Sequence, residues 1–186
     1  MAKYIAIGVI VAIIVIIIIA MIVTYNNLIL LKNKVKNSFA QMDTQLQRRF
    51  DLIPNLVETV RGFADHEKEL LENVAESRSG YLSATTNREK VAMSNLLTTN
   101  LRSLFGVTEN YPDLKANMNF LELQRELSVI EEKITFSRQF YNDTVTMYNN
   151  KLLTFPNNIL GSLLGFKEEE LFSADSMANV APQVRF

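Results

Sequence analysis

From Tyr4 to Tyr25 the chain reads YIAIGVIVAIIVIIIIAMIVTY and carries no charged residue. At about 1.5 Å per residue, a helix of this length spans roughly 30 Å, the thickness of a bilayer's hydrocarbon core. Each Ile or Val favours insertion by about 0.3 to 0.6 kcal/mol, so the whole run favours it by several kcal/mol. The run is longer than the apolar centre of a signal peptide, and no A-x-A cleavage pattern follows it, so a retained single-pass anchor is expected. Tyr4 and Tyr25 frame the run as interfacial aromatic residues. Gly8 and Ala12 form a small-xxx-small pair of the kind that seats a second membrane helix.

Lys3 precedes this anchor and Lys32, Lys34 and Lys36 follow it. The positive-inside tendency leans toward a cytoplasmic C-terminal domain, with a periplasmic one left open. The three following lysines suit anionic headgroups, at about 1 kcal/mol each near the surface, or equally a solvated helix face.

The remainder of the chain has few ways to turn. Its 186 residues include six Gly and four Pro and no Trp, so long helices are expected rather than many short strands. A net charge of -1 and a pI near 5.9 argue against a nucleic-acid partner. The absence of Cys excludes disulfides, thiolate zinc sites and a thiol nucleophile.

Apolar residues recur at steps of four and three through Val35, Phe39, Met42, Leu46, Ile53, Leu56, Val60, Phe63, Leu70, Val74 and Tyr81. Arg49, Glu67 and Ser77 are the polar members of that series. A second stripe, Phe50, Val57, Ala64 and Leu71, widens the apolar face to the width of a packed bundle helix. One long helix from about Asn26 to Tyr81 is expected, reaching roughly 80 Å from the bilayer.

Within this helix the stretch QRRFDLIPNLVETV places Pro54 inside the pattern. Proline removes a backbone donor and crowds the carbonyl four residues back, so a kink is expected. Asp51 could cap a restarted helix, with Arg48 and Arg49 at the end of the preceding one. Arg49 falls on the apolar seam, where it must snorkel outward, pair with a carboxylate or serve a binding role.

Gly80 and the polar residues after it read as a loop, followed by a helix from about Arg88 to Phe105 that Gly106 closes. Pro112 after Tyr111 starts another helical pattern, which runs for about forty residues from Leu114 to Leu152 and breaks at Pro156. Residues 157–166 form a short apolar element, and the tail beyond is polar with an apolar end, Val184-Arg185-Phe186.

Chemistry is sparse. His66 is followed by Glu67, but Leu70 stands where an H-E-x-x-H zinc motif needs its second histidine. Phosphate-binding, dinucleotide-binding and nucleophile-elbow patterns are absent. Glu126, Glu131 and Glu132 lack the Glu-x-x-His companions of a di-iron bundle and read as a solvated acidic face. Asn55, Asn117, Asn119, Asn142, Asn149 and Asn150 are unusual among helical patterns, and suit either interhelical hydrogen bonds or partner contacts. No cofactor and no catalytic activity are expected.

Three stretches, RRFDLIPNLVETVRGFADHEKELLENV, YPDLKANMNFLELQRELSVIEEKI and RQFYNDTVTMYNNKLLTFP, closely resemble the LemA family of bacterial membrane proteins. The resemblance covers about Tyr25 to Phe166 and implies an all-α fold: a transmembrane helix followed by an antiparallel bundle of three long or medium helices and a short fourth. It implies no enzymatic activity. Family members are associated with magnetosome membranes and occur beside membrane proteases, which implies envelope roles.

The expected organisation is an anchor at 1–25, a bundle at 26–166 and a flexible tail at 167–186. The expected function is a scaffold in the bacterial inner membrane that forms a homo-oligomer and organises or remodels the bilayer. The alternative is an adaptor or sensor that presents the bundle to a membrane protease or another envelope protein. Candidate contact residues are Arg48, Arg49, Asp51, Pro54 and Asn55, then Tyr111, Pro112 and Asp113.

Overall fold

The computed structural model describes residues 1–64 and 66–172, with Ala2 described by its backbone alone. The regular elements among them are six helices: α1 Ala2–Arg61, α2 Lys68–Ser83, α3 Asn87–Thr108, α4 Pro112–Lys115, α5 Met118–Leu153 and α6 Asn157–Leu163. The fold is all-α, as expected. The described residues divide into two compact units, one of residues 1–40 with 139–171 and one of residues 41–138 with Phe172. The apolar end Val184-Arg185-Phe186 lies outside the described residues.

The first unit contains the N-terminal part of α1, the C-terminal part of α5, and α6. From Ile5 to Val23 the large apolar side chains of α1 are almost all exposed, as a helix that faces lipid requires. Burial then sets in at helical spacing with Thr24, Leu28 and Val35, and Val145, Tyr148 and Leu152 of α5 are buried in the same unit. Phe39 meets Tyr141 edge to face, with centroids 5.6 Å apart. Gly165, at φ 77°, turns the chain after α6.

The segment after that turn is tied to α5 by its backbone. Tyr148 donates its hydroxyl to Lys167 O at 2.8 Å and Tyr141 donates to Glu170 O at 3.0 Å. Asn149 donates to Glu169 O at 2.9 Å and accepts from Glu169 N–H at 3.0 Å. An asparagine amide has the shape of a peptide group, so it can pair with an extended strand of backbone as another backbone would. That is why a mediocre helix former sits at position 149.

The second unit is built on a hairpin. The long helix expected to reach Tyr81 instead ends at Arg61, and α2, which starts at Lys68, runs back along α1. Phe50 and Tyr81 stack with centroids 4.1 Å apart, and Tyr81 donates to Asp43 Oδ1 at 2.7 Å. The apolar period misled because it continues through the turn: Phe63, expected in the core, is exposed, while Ala64 is buried in its place. Seam position 77 is nevertheless buried. Ser77 donates to Asn73 O and accepts from Asn100 Nδ2 at 2.8 Å, so its polarity is satisfied between helices.

Two further boundaries differ from expectation. Helix α2 runs through Gly80 to Ser83, and a Cβ added at Gly80 would displace the flexible Met93 side chain of α3 that packs over it. Helix α3 runs past Gly106 to Thr108 and starts with a capping box, in which Thr86 Oγ1 accepts from Glu89 N–H at 3.2 Å and Glu89 Oε2 from Thr86 N–H at 3.0 Å. The Glu89 carboxylate also accepts from Thr85 N–H at 2.7 Å, and the two backbone donors, Thr86 and then Thr85, hold its pKa below the ordinary value. The forty-residue pattern begins in two pieces, α4 and α5, because Asn117 leaves the helix and caps the next one, accepting from Phe120 N–H at 3.1 Å.

Candidate functional site

The stretch around Pro54 is helical throughout. Helix α1 passes through Pro54 without ending, so Asp51 caps no restart and Arg48 and Arg49 lie in a helix interior rather than at a C-terminus. Proline cannot donate to the carbonyl four residues back, which leaves Phe50 O without its helical partner. Arg78 of α2 supplies the replacement, donating from Nε to Phe50 O at 3.1 Å. The proline thus opens a backbone acceptor in α1, and the hairpin partner fills it.

Arg49 is 3% exposed and forms an ion pair with Glu131 of α5, Nη1 to Oε2 at 3.1 Å. The same nitrogen donates to Thr98 Oγ1 of α3 at 3.0 Å. Burial pushes the guanidinium below its ordinary pKa, Glu131 opposes this, and Arg138 adds to it. Glu131 therefore belongs only partly to a solvated acidic face: its side chain stays 39% exposed while it pairs with the buried Arg49. It stands between Leu127 and Ile134 on the buried stripe of α5, just as Arg49 stands on the buried stripe of α1.

This pair forms part of the wall of an open cleft of about 690 Å³. Leu101, Phe105 and Leu121 supply apolar surface to it, and Arg102 and Arg125 add two more guanidinium groups. A second cleft of about 480 Å³ is lined by Arg48, Asp51 and Leu52 of α1 and by Arg125, Glu126, Val129 and Lys133 of α5. A third, of about 320 Å³, takes in Asn55, Thr59, Asn119 and Glu122. The RRFDLIPN stretch and the first half of α5 thus form one grooved face of alternating charge and exposed apolar surface, with Leu121 and Val129 exposed on it.

Sequence reasoning missed Arg102, Arg125 and Thr98. A signal for the ion pair did exist: one cation and one carboxylate each occupied a seam position on a different helix.

Tyr111, Pro112 and Asp113 lie elsewhere in this unit. Tyr111 precedes α4, Pro112 is its first residue and Asp113 sits in its first turn, where its charge complements the helix dipole. Tyr111 donates to Glu67 Oε1 at 2.9 Å, and that bond raises the Tyr111 pKa. The Tyr111 bond ties the α3–α4 connection to Glu67, the residue that precedes α2.

A second polar cluster joins α1, α2 and α3. Asp43 accepts from Tyr81 and, at 2.6 Å, from Lys90. Burial, and then the bond to Asp43, raises the Tyr81 pKa well above the ordinary tyrosine value.

In the first unit, Lys32 lies 3.7 Å from Glu169, and Lys34 and Lys36 are exposed. His66 is exposed in the hairpin turn. Among the described residues, no three of His, Asp and Glu come together as a metal-binding set.

Comparison with known proteins matches this architecture to a family. Over 156 residues the chain is 24% identical to Protein LemA of Metamycoplasma hominis, an alignment covering 83% of this chain and 71% of that protein. Over 178 aligned positions it is 22% identical to Magnetosome protein MamQ 2 and Magnetosome protein MamQ 1 of Paramagnetospirillum magneticum, covering 82% of this chain and 65% of each relative. It thus spans a little under two thirds of the MamQ proteins. The LemA family pattern itself matches residues 38–186, which takes in the hairpin, the Arg49–Glu131 pair and the grooved face. The chain belongs to the LemA family.

Proposed function

We propose that this chain is a membrane-anchored scaffold of the bacterial envelope that associates with further copies of itself. The observation that carries the reading is the grooved face of α1 and α5 in the second unit. It is open and shallow, which suits a protein surface better than an enclosed small-molecule site. Its charges alternate: Arg48, Arg125 and Lys133 stand among Asp51, Glu122 and Glu126. A face of mixed sign is self-complementary about a two-fold axis, since each cation can meet a carboxylate of an identical neighbour. The exposed Leu121 and Val129 supply apolar area for such a contact.

The apolar run of α1 has the length and composition to hold these copies in a bilayer. Likeness to the magnetosome proteins supports a role in membrane organisation. The role is read as contact rather than catalysis, because the buried charges are engaged with one another in structural pairs.

The test is the particle mass of the full-length protein in mild detergent, with a variant that reverses two of the three cations of the face, Arg48→Glu with Lys133→Glu. A defined assembly that falls to monomer in the variant, with helicity unchanged, is the expected result. A monomeric wild-type protein would sink the reading.

A second reading has its own observation. The Arg49 cleft is apolar-walled and carries three arginines, a composition suited to an acidic or C-terminal segment of a different protein. A monomer that co-purifies with an envelope protein, and loses it on Arg125→Glu, would favour this adaptor role.

A further inference from the structure

We infer that the connection from α5 to α6 is a second membrane contact of this chain, seated in the lipid interface beside the exit of the anchor. The inference rests on reading the Tyr4–Tyr25 run as membrane-spanning, and its occupant is the lipid surface itself.

Three observations converge. The first is one of level. Thr24, in the last turn of the uncharged run, donates to Asn157 Oδ1 at 3.1 Å in a buried hydrogen bond, and a Cβ on Gly161 would lie 3.5 Å from Leu28 Cδ1. Tyr25 meets Phe166 edge to face at 5.8 Å. Helix α6 therefore lies alongside residues 24–28 of α1, where a spanning helix leaves the hydrocarbon and enters the headgroup layer.

The second observation is one of face. Asn157 and Gly161 are the buried positions of α6. Ile159 and Leu163 point the other way, 60% and 72% exposed, and Phe155 in the preceding turn is 73% exposed. Leu153, the last residue of α5, is exposed as well. Large apolar side chains grouped this closely on an exposed face mark a contact surface.

The third observation is one of charge. From Leu152 to Phe166 the sequence contains no charged residue, and Lys151 and Lys167 flank the stretch. An uncharged apolar element with a lysine at each end suits the boundary between acyl chains and headgroups, and of the three glutamates that follow Lys167, Glu169 lies 3.7 Å from Lys32. Water or a protein partner would account for the exposed side chains singly, but the shared level with Thr24 and Tyr25 selects lipid.

The native chain has no cysteine, so single-cysteine spin labels report one site each. Full-length protein would be reconstituted into vesicles of phosphatidylcholine with a minority of phosphatidylglycerol. Collision of the label with oxygen, which enriches in hydrocarbon, would be compared with collision with a water-soluble nickel chelate. The variants are Ile14→Cys as the hydrocarbon reference, Asn37→Cys as the aqueous reference, and Phe155→Cys, Ile159→Cys and Leu163→Cys as tests. Asn37 lies about 18 Å beyond Tyr25 along a helix, outside the headgroup layer.

Phe155 and Ile159 labels should show an oxygen-to-nickel ratio several-fold above that of Asn37 and below that of Ile14, with Leu163 between them and Asn37. If Ile14 reports hydrocarbon while the test sites match Asn37, the interfacial contact is refuted and the anchor stands. If Ile14 itself matches Asn37, the anchor reading falls and takes this inference with it. Low collision with both reagents at the test sites would mean that protein covers the patch, which also refutes the lipid contact.

Discussion

Arg49 and Glu131 form a pair in which one partner is out of water and the other is not, and that asymmetry sets the cost of removing either. The Arg49 side chain is 4% exposed and the Glu131 side chain 39%. Glu131→Gln strands a buried guanidinium and should cost about 1 to 3 kcal/mol, below the range for fully buried pairs because water already reaches the carboxylate. Arg49→Met fills the same space, leaves a carboxylate that water can solvate, and should change stability by less than about 1 kcal/mol. Urea unfolding followed by circular dichroism would compare them; an arginine variant worse than the glutamate variant would contradict this account. Tyr81 gives a pH dependence of known sign. Its pKa is raised in the folded state, so the stabilising contribution is fully present below the unfolded value of about 10 and is lost as pH rises beyond it. Tyr81→Phe removes the bond to Asp43 and should cost about 1 kcal/mol near neutral pH. The difference from wild type should shrink under alkaline conditions, and a difference that widened there would reverse the assignment.

At the scale of the element, Pro54 and Arg78 act together. Pro54→Ala should stabilise α1 by up to about 3 kcal/mol through helix propensity and a restored backbone donor. Arg78→Ala should cost about 1 to 2 kcal/mol in the presence of Pro54, because it orphans Phe50 O, and distinctly less in the Pro54→Ala background, where the helix itself supplies a donor. Additive effects of the two substitutions would mean that the Arg78 bond does not compensate for the proline. This coupling also marks the limit of what was legible beforehand. Periodicity correctly placed Met42, Leu46, Ile53, Leu56 and Val60 on one buried face and put Arg49 on the same seam. It could not show that α1 stops at Arg61, because Val60, Ala64, Leu71 and Val74 keep a helical spacing across a turn that reverses the chain. Nor could it show how Phe50 O is satisfied opposite Pro54, since the donor is Arg78, 28 residues away on another helix. The side-chain clamp at Asn149 was invisible for the same reason: its partner is the backbone of a segment 20 residues on.

For the whole molecule, the anchor is the part whose structure alone leaves most room for a neighbour. A Cβ added at Gly8 meets nothing within 4 Å, so within a single chain the glycine is not required for packing. Glycine costs a helix interior about 1 kcal/mol relative to alanine, and a larger apolar residue should favour both the helix and its insertion. Gly8→Ile should therefore leave the isolated chain folded and membrane-bound. Any loss must come from a second helix, because a small-xxx-small pair such as Gly8 and Ala12 acts by letting two backbones approach. The measurement is particle mass in mild detergent for wild type, Gly8→Ile and Ala12→Ile, with circular dichroism as the control for folding. Smaller particles at unchanged helicity would place the anchors in contact through this pair. Unchanged particles would confine self-association to the helical domain, and the Arg48 and Lys133 face would then have to carry it alone.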